Sequence, residues 1–244
     1  MIRLFYPMRR LPHLSLEEFQ DHWYDVHAEL NRPFRLIRRY IQYHTLANDP
    51  TRDVLEKAQL SALEPYDGVP SAYYDNLDDM RLEHDVERTW YTGPAVQDHY
   101  YFIDDNRSIA CVAHEHVVIE PEGTVPYVLF GCLRRRAEFD PATFQQTWLD
   151  HTRFLCQAYE LGLLKGYIQN HTLLGEDGGL EGLGSTEEPW DGLETVYFES
   201  VAKFKAFAAS DVAQNWFEDE KSFIDHSQSV YMLTRRRVIK QIVR

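Results

Sequence analysis

The heptapeptide YIQYHTL at residues 40–46 returns as YIQNHTL at residues 167–173, with six of its seven letters unchanged. A near-copy of that length inside one chain of 244 residues restricts the fold to something built from two like units. The match also spreads to both sides of the phrase. Residues 2–10 (IRLFYPMRR) parallel 127–135 (YVLFGCLRR), and both read as largely buried strands ending in paired arginines. SLEEFQDHWYDVH (15–27) parallels DPATFQQTWLDHT (140–152). Ser15 with Glu18 forms a capping box, and Asp140 followed by Pro141 is a second helix start. Phe19 and Trp23, like Phe144 and Trp148, are four apart and give each helix an apolar stripe.

The repeated phrase reads as a strand in both places. A variable acidic insert follows it, residues 47–65 in one half and the Gly-rich GEDGGLEGLGSTEE (175–188), read as a mobile loop, in the other. YDGVPSAYYDNLDDM (66–80) then parallels WDGLETVYFESVAKF (190–204), an Asp-Gly turn entering an aromatic strand. A second helical stretch ends at YFIDDNRS (101–108) and SFIDHSQS (222–229), and a final strand closes each half. Each half is thus strand–helix–strand–strand–helix–strand, the α+β order of a split βαβ, ferredoxin-like unit. The expected boundaries are 1–119 for the first repeat, 120–126 (EPEGTVP) for a linker and 127–244 for the second. A sheet covered by helices on one face needs a partner for the other, and a second copy supplies it.

The formal charge of −14 argues against a phosphate-backbone partner. The basic runs Arg134–Arg136 and Arg235–Arg237 read as strand-end or edge charges that discourage edge pairing. The three cysteines, Cys111, Cys132 and Cys156, are odd in number and widely spaced, which fits a reducing cytoplasm better than a disulfide scaffold. No signal-peptide pattern and no membrane-length apolar run is present. The 14% aromatic content leans towards a binding cavity. Dinucleotide, Walker and nucleophile-elbow motifs are absent.

Together the F-x-x-x-W-x-x-x-H helix, the Y-x-Q-x-H strand, the (Y/W)DG turn and the FID segment resemble the EthD family of the dimeric α/β-barrel superfamily. The resemblance implies two ferredoxin-like units packed sheet to sheet as an intramolecular barrel, with a pocket between the helices and sheet of each unit. Linking the units covalently gives their pairing a high effective concentration and lets the two pockets diverge. Relatives of this kind include cofactor-free isomerases, lyases, dehydratases, cyclases and monooxygenases, and some bind haem, so fold alone does not choose among them.

On that analogy His27, beside Trp23, is the candidate general base, set against a histidine that caps its helix. Tyr40, Gln42 and His44 alternate along one sheet face and are repeated as Tyr167, Gln169 and His171. They serve either a polar cavity or a structural hydrogen-bond set. Asp104 and Asp225 are candidates to orient a histidine or to cap a turn. Thr152 stands opposite His27, and His151 is one position early, rotated by about 100° on a helix. The first half is therefore expected to carry the main chemistry, with Trp148, His171 and His226 lining a modified second pocket. His114 and His116 share a strand face, but a lone H-x-H is a poor metal signature, so neither metal nor organic cofactor is expected.

The leading expectation is a cofactor-independent lyase, isomerase or dehydratase acting on a small hydrophobic, aromatic or polyketide-like compound. His27 would move the proton, Tyr40 and His44 would hold the developing oxyanion, and Trp23 would line the pocket. The alternatives are a haem-dependent or cofactor-free monooxygenase and a non-catalytic ligand-binding protein. A homodimer of the pseudo-dimeric chain is compatible with all three.

Overall fold

The computed structural model describes residues 1–83, 93–173 and 188–242. The acidic insert 175–188 therefore lies, except for Glu188, outside the described residues. The first half runs β1 (Ile2–Phe5), α1 (Leu16–Asp21), a π-helical turn (His22–His27), α2 (Ala28–Asn31), β2 (Arg39–Thr45), α3 (Thr51–Lys57), β3 (Gly68–Tyr74), α4 (Leu77–Glu83), α5 (Pro94–Phe102) and β4 (Cys111–Ile119). The second runs β5 (Tyr127–Leu133), α6 (Pro141–Asp150), α7 (Arg153–Glu160), β6 (Gly166–Thr172), β7 (Gly192–Phe198), α8 (Val201–Ala208), α9 (Asp211–Glu220) and β8 (Val230–Gln241). Both predicted helix starts form: Ser15 and Glu18 make the reciprocal capping box, and Asp140 accepts from the Thr143 amide.

The strands close into a barrel in the order β1-β3-β2-β8-β5-β7-β6-β4. Each half keeps the ferredoxin-like order, β4-β1-β3-β2 and β8-β5-β7-β6, and the second strand of each half pairs with the last strand of the other. All these pairings are antiparallel. The chain is thus an α+β dimeric-barrel fold made from one polypeptide. Closure leaves no sheet edge, which overturns the reading of the arginine runs as edge charges. Arg235–Arg237 lie in β8, which is paired on both sides. Arg134 instead donates to the carbonyls of Glu188 and Pro189 and sits 4.4 Å above the Trp190 ring. Arg9 repeats this with Glu64, Pro65 and Tyr66.

Phe5, Tyr43, Phe130, Tyr197 and Met232 fill the barrel interior. Arg3 is fully buried among them. Its guanidinium donates to Asn170 at 2.8 Å, Glu115 at 3.0 Å and Ser71 at 3.0 Å, and lies over the Tyr73 ring. Such a cation is tolerable inside only because its donors are met from several strands.

The Asp-Gly pairs do not make hairpin turns. Asp67 accepts from the Arg10 amide and guanidinium, and Asp191 does the same for Arg135. Gly68 and Gly192 begin β3 and β7, and a Cβ at either would collide with the ring of Trp23 or Trp148. The glycine is needed for this close approach of indole to strand. The insert 47–65 crosses to the other half. Leu55 and Leu60 join the second half's helix-side core, and the Leu63 amide donates to the Ser229 carbonyl at 2.9 Å.

Candidate active site

The first half holds a cavity of about 60 Å³ between its helices and the outer face of β1, β2 and β3, lined in part by Leu4, Tyr6, Trp23, His27, Tyr40 and His99. Trp23 and His27 arrive on the π-helical turn, where the Ala28 amide reaches back five residues to the Trp23 carbonyl. The wide turn matters for His22 and His27. Five residues apart, they would diverge on an α-helix, whereas here both rings reach one carboxylate. His27 Nδ1 lies 2.8 Å from Asp98 Oδ2 and His22 Nε2 lies 2.9 Å from Asp98 Oδ1. The helix continues past His27 to Asn31, so His27 does not cap a helix end.

Asp98, on α5, was not singled out in the sequence. An ionised carboxylate only accepts, so His27 Nδ1 carries the proton and Nε2 keeps its lone pair. Burial pushes His27 below the ordinary histidine range, with the Asp98 bond opposing that shift. Burial disfavours the Asp98 charge, but the bonds from His27 and His22 outweigh it and hold the carboxyl low. A neutral imidazole of fixed tautomer at a cavity wall is suited to accept a proton. Across the cavity, the Tyr6 hydroxyl donates to Asp105 at 2.7 Å, and its ring stacks on His99.

Tyr40 lines the same cavity. Its oxygen accepts from Trp23 Nε1 at 3.2 Å and from Gln42 Nε2 at 3.4 Å, which leaves its own O–H to donate elsewhere. Burial pushes this phenol up to about 12. Gln42 also donates to the Trp23 carbonyl and accepts from His44 Nε2 at 2.9 Å. His44 itself stacks on Trp23 and lies outside the cavity lining. Burial, then Arg237 and Arg235, lower it to about 3. It stays neutral and belongs to a structural network, not to the oxyanion site expected for it. The second half repeats that network bond for bond through Trp148, Tyr167, Gln169 and His171. Asp104 does not orient His27. Its carbonyl closes a short turn, accepting from Arg107 and Ser108.

The second half departs where the cavity would be. His151 places Nε2 3.5 Å from Asp219, and its ring lies 4.9 Å from Phe223. His22 stands in the same relation to Phe102, also at 4.9 Å, so His151 takes the place of His22, while an exposed arginine, Arg153, meets the other Asp219 oxygen at 2.9 Å where the first half has His27. Glu194 stands where the first half has Pro70, and Gly131 stands where it has Tyr6. Glu194 is fully buried, and neither carboxyl oxygen has a hydrogen-bond partner among the described residues. Glu220 is buried beside it and meets His226 Nε2 at 3.3 Å. Burial holds both carboxyls well above the ordinary range, with the Glu220 charge adding to the shift of Glu194 and the Asp219 charge adding to that of Glu220. Burial, then Lys221, push His226 down to about 4. Glu220 and His226 therefore meet as a neutral pair. Tyr231, at the position of Ala110, is buried and stacks on His226 at 5.8 Å. The sequence did carry a signal for this pair, since Glu194 interrupts a strand of apolar and aromatic residues.

Among the described residues no cluster of three or more His, Cys, Asp or Glu is placed to hold a metal ion. No helix there is long and apolar enough to cross a membrane.

A closed barrel of two ferredoxin-like halves, with a histidine-lined cavity under the helices of one half, defines a dimeric α/β-barrel protein. The EthD domain model matches residues 11–105 and again 136–227, and the chain belongs to that family. No curated protein matches it in sequence. Among solved structures it is similar to an anthrone oxidase-like protein, with 8% identity, 99% of this chain and 94% of that one covered, and a TM-score of 0.58. A protein from Lactobacillus acidophilus NCFM, provisionally described as a monooxygenase, is 9% identical, with 98% and 96% covered and a TM-score of 0.51. A mutant chlorite dismutase from Candidatus Nitrospira defluvii is 11% identical, with 98% and 92% covered and a TM-score of 0.50. These likenesses establish the shared fold.

Proposed function

We propose that the first half is a cofactor-independent acid–base enzyme that removes an activated C–H proton from a small, hydrophobic aromatic compound. The observation that carries this reading is the bond from His27 Nδ1 to Asp98, which leaves a basic Nε2 at the wall of a largely apolar cavity. His27 accepts the proton, and Asp98 stabilises the imidazolium that forms, held in turn by His22. The free O–H of Tyr40 is suited to donate to the enolate or phenolate oxygen that develops. Return of the proton to another carbon completes an isomerisation, and loss of a leaving group completes an elimination.

A second reading, cofactor-free oxygenation, shares the first step. The carbanion would then react with dioxygen, as the anthrone oxidase-like and monooxygenase-like neighbours invite.

The test is exchange of the acidic methylene protons of anthrone into deuterated buffer, followed by proton NMR with and without oxygen. The reading predicts enzyme-dependent exchange that falls at least about 10²-fold in His27→Ala. Oxygen uptake coupled to that exchange would select the oxygenase branch. Exchange at the same rate in a folded His27→Ala protein would remove His27 from the mechanism.

A further inference from the structure

A second cavity, larger than the first and separate from it, lies on the seam between the halves. It has a volume of about 730 Å³ and is walled by Leu46, Leu55, Leu60, Tyr66 and Tyr231 among others. That volume falls within the roughly 300–1,000 Å³ typical of small-molecule sites. The seam cavity and the first-half cavity have no lining residue in common.

The roof is the insert that the first half sends across to the second, and it is fixed at three points. The Leu46 amide donates to the Leu233 carbonyl at 3.0 Å, and the Leu233 amide returns a bond to Asp49 at 3.1 Å. The Leu63 amide is tied to Ser229. Leu55 and Leu60 anchor the roof in the second half's core. A space beneath so firmly attached a segment, open to solvent on one side, belongs to the architecture.

The charges around the cavity set the chemistry of its occupant. Arg10 is bound to Asp67, and Arg52 pairs with Glu56 at 3.3 Å. Glu64 is shared between Arg9 at 3.7 Å and Arg107 at 3.8 Å. Asp49 accepts from Thr51 and Leu233. Each charged lining group is already met by the protein, so no unpaired charge is left for an ionic ligand. The remaining lining is leucine, tyrosine, alanine and proline, with the neutral hydroxyls of Thr45 and Ser61.

We propose that this seam cavity is a second binding site, which takes a neutral, hydrophobic molecule of fused-ring size. The site needs both halves, which gives the inter-half insert a role beyond closing the core. It does not depend on His27 or on the reaction proposed for the first half.

The test uses Nile red, a neutral fused-ring dye, in fluorescence titrations of the full chain. Ala62→Trp and, independently, Ala47→Trp would fill the seam cavity, whereas Ala110→Phe would fill the first-half cavity. Wild type and Ala110→Phe are expected to bind one equivalent with blue-shifted emission. Both tryptophan variants, with unchanged melting temperature, should bind at least about tenfold more weakly. Absence of binding to wild type, loss of binding in Ala110→Phe, or wild-type affinity in both tryptophan variants would overturn the proposal.

Discussion

Replacing Glu194 by Gln should stabilise the protein increasingly as the pH rises. In the folded state the Glu194 and Glu220 carboxyls are pushed well above the ordinary glutamate range, first by burial and then by a neighbouring carboxyl, Glu220 for Glu194 and Asp219 for Glu220. Near neutral pH each holds a proton that the unfolded chain has released. Stability changes with pH by about 1.4 kcal/mol per unit for each proton of difference, and it falls as pH rises when the folded state binds more. The pair thus lowers stability by about 2.7 kcal/mol per pH unit between the free glutamate range and the folded values. Glutamine keeps the shape and cannot ionise, so it removes one of the two contributions. The stability difference between Glu194→Gln and wild type should widen by about 1.4 kcal/mol per pH unit wherever folded Glu194 keeps the proton that the unfolded glutamate has released. Taking the difference cancels the histidines and surface groups common to both proteins. Urea unfolding followed by tryptophan fluorescence at pH 6, 7 and 8 measures it. A difference constant to within about 0.5 kcal/mol would refute the claim that Glu194 is buried as a neutral acid.

His44 and His171, each lowered to about 3, and His226, lowered to about 4, stay neutral in the fold while their unfolded counterparts protonate below about 6.5. Their contribution to stability is therefore full above that pH and is lost as the pH falls from 6.5 towards 4. Imidazole NMR titration should show no protonation of His44 or His171 at pH 5, and a midpoint near 6.5 would contradict their burial. Gly68→Ala and Gly192→Ala force a Cβ into the indole stacked on each strand, and each should cost about 1–3 kcal/mol in denaturant unfolding. Arg3→Met leaves Glu115 and Asn170 without their buried donor and should cost about 3–5 kcal/mol in the same assay, whereas a neutral effect would mean that the barrel interior is wetter than described.

The duplication and the helix starts were legible because each rests on local pattern: Ser15 with Glu18, Asp140 with Pro141, and a seven-residue phrase stated twice, whereas the barrel was implied by the family resemblance that those motifs carry. The Tyr40–Gln42–His44 row was legible as a shared face, but its partition was not. Trp23 stands between the cavity and His44, which follows from indole packing on Gly68 and not from strand alternation. Asp98 was missed because its link to His27 spans 71 residues and depends on a π-helical turn that α-helical spacing does not anticipate. Asp104 drew attention through its repeated FID context, yet its backbone carbonyl, not its carboxylate, makes the bonds that close its turn. The divergence of the second half was visible in Thr152. That Glu194, Glu220 and Tyr231 are buried together there emerges only when α9, β7 and β8 are brought together in space.

The proposed chemistry resides in the first half, on His27 oriented by Asp98. Carbon–hydrogen exchange in deuterated buffer, measured for wild type, His27→Ala, Asp98→Asn and Glu220→Gln, tests it. A loss of at least about 10²-fold is expected for His27→Ala, a loss with an altered pH profile for Asp98→Asn, and a wild-type rate for Glu220→Gln. Full exchange in the His27 variant, or its loss only in the Glu220 variant, would place the chemistry in the other half.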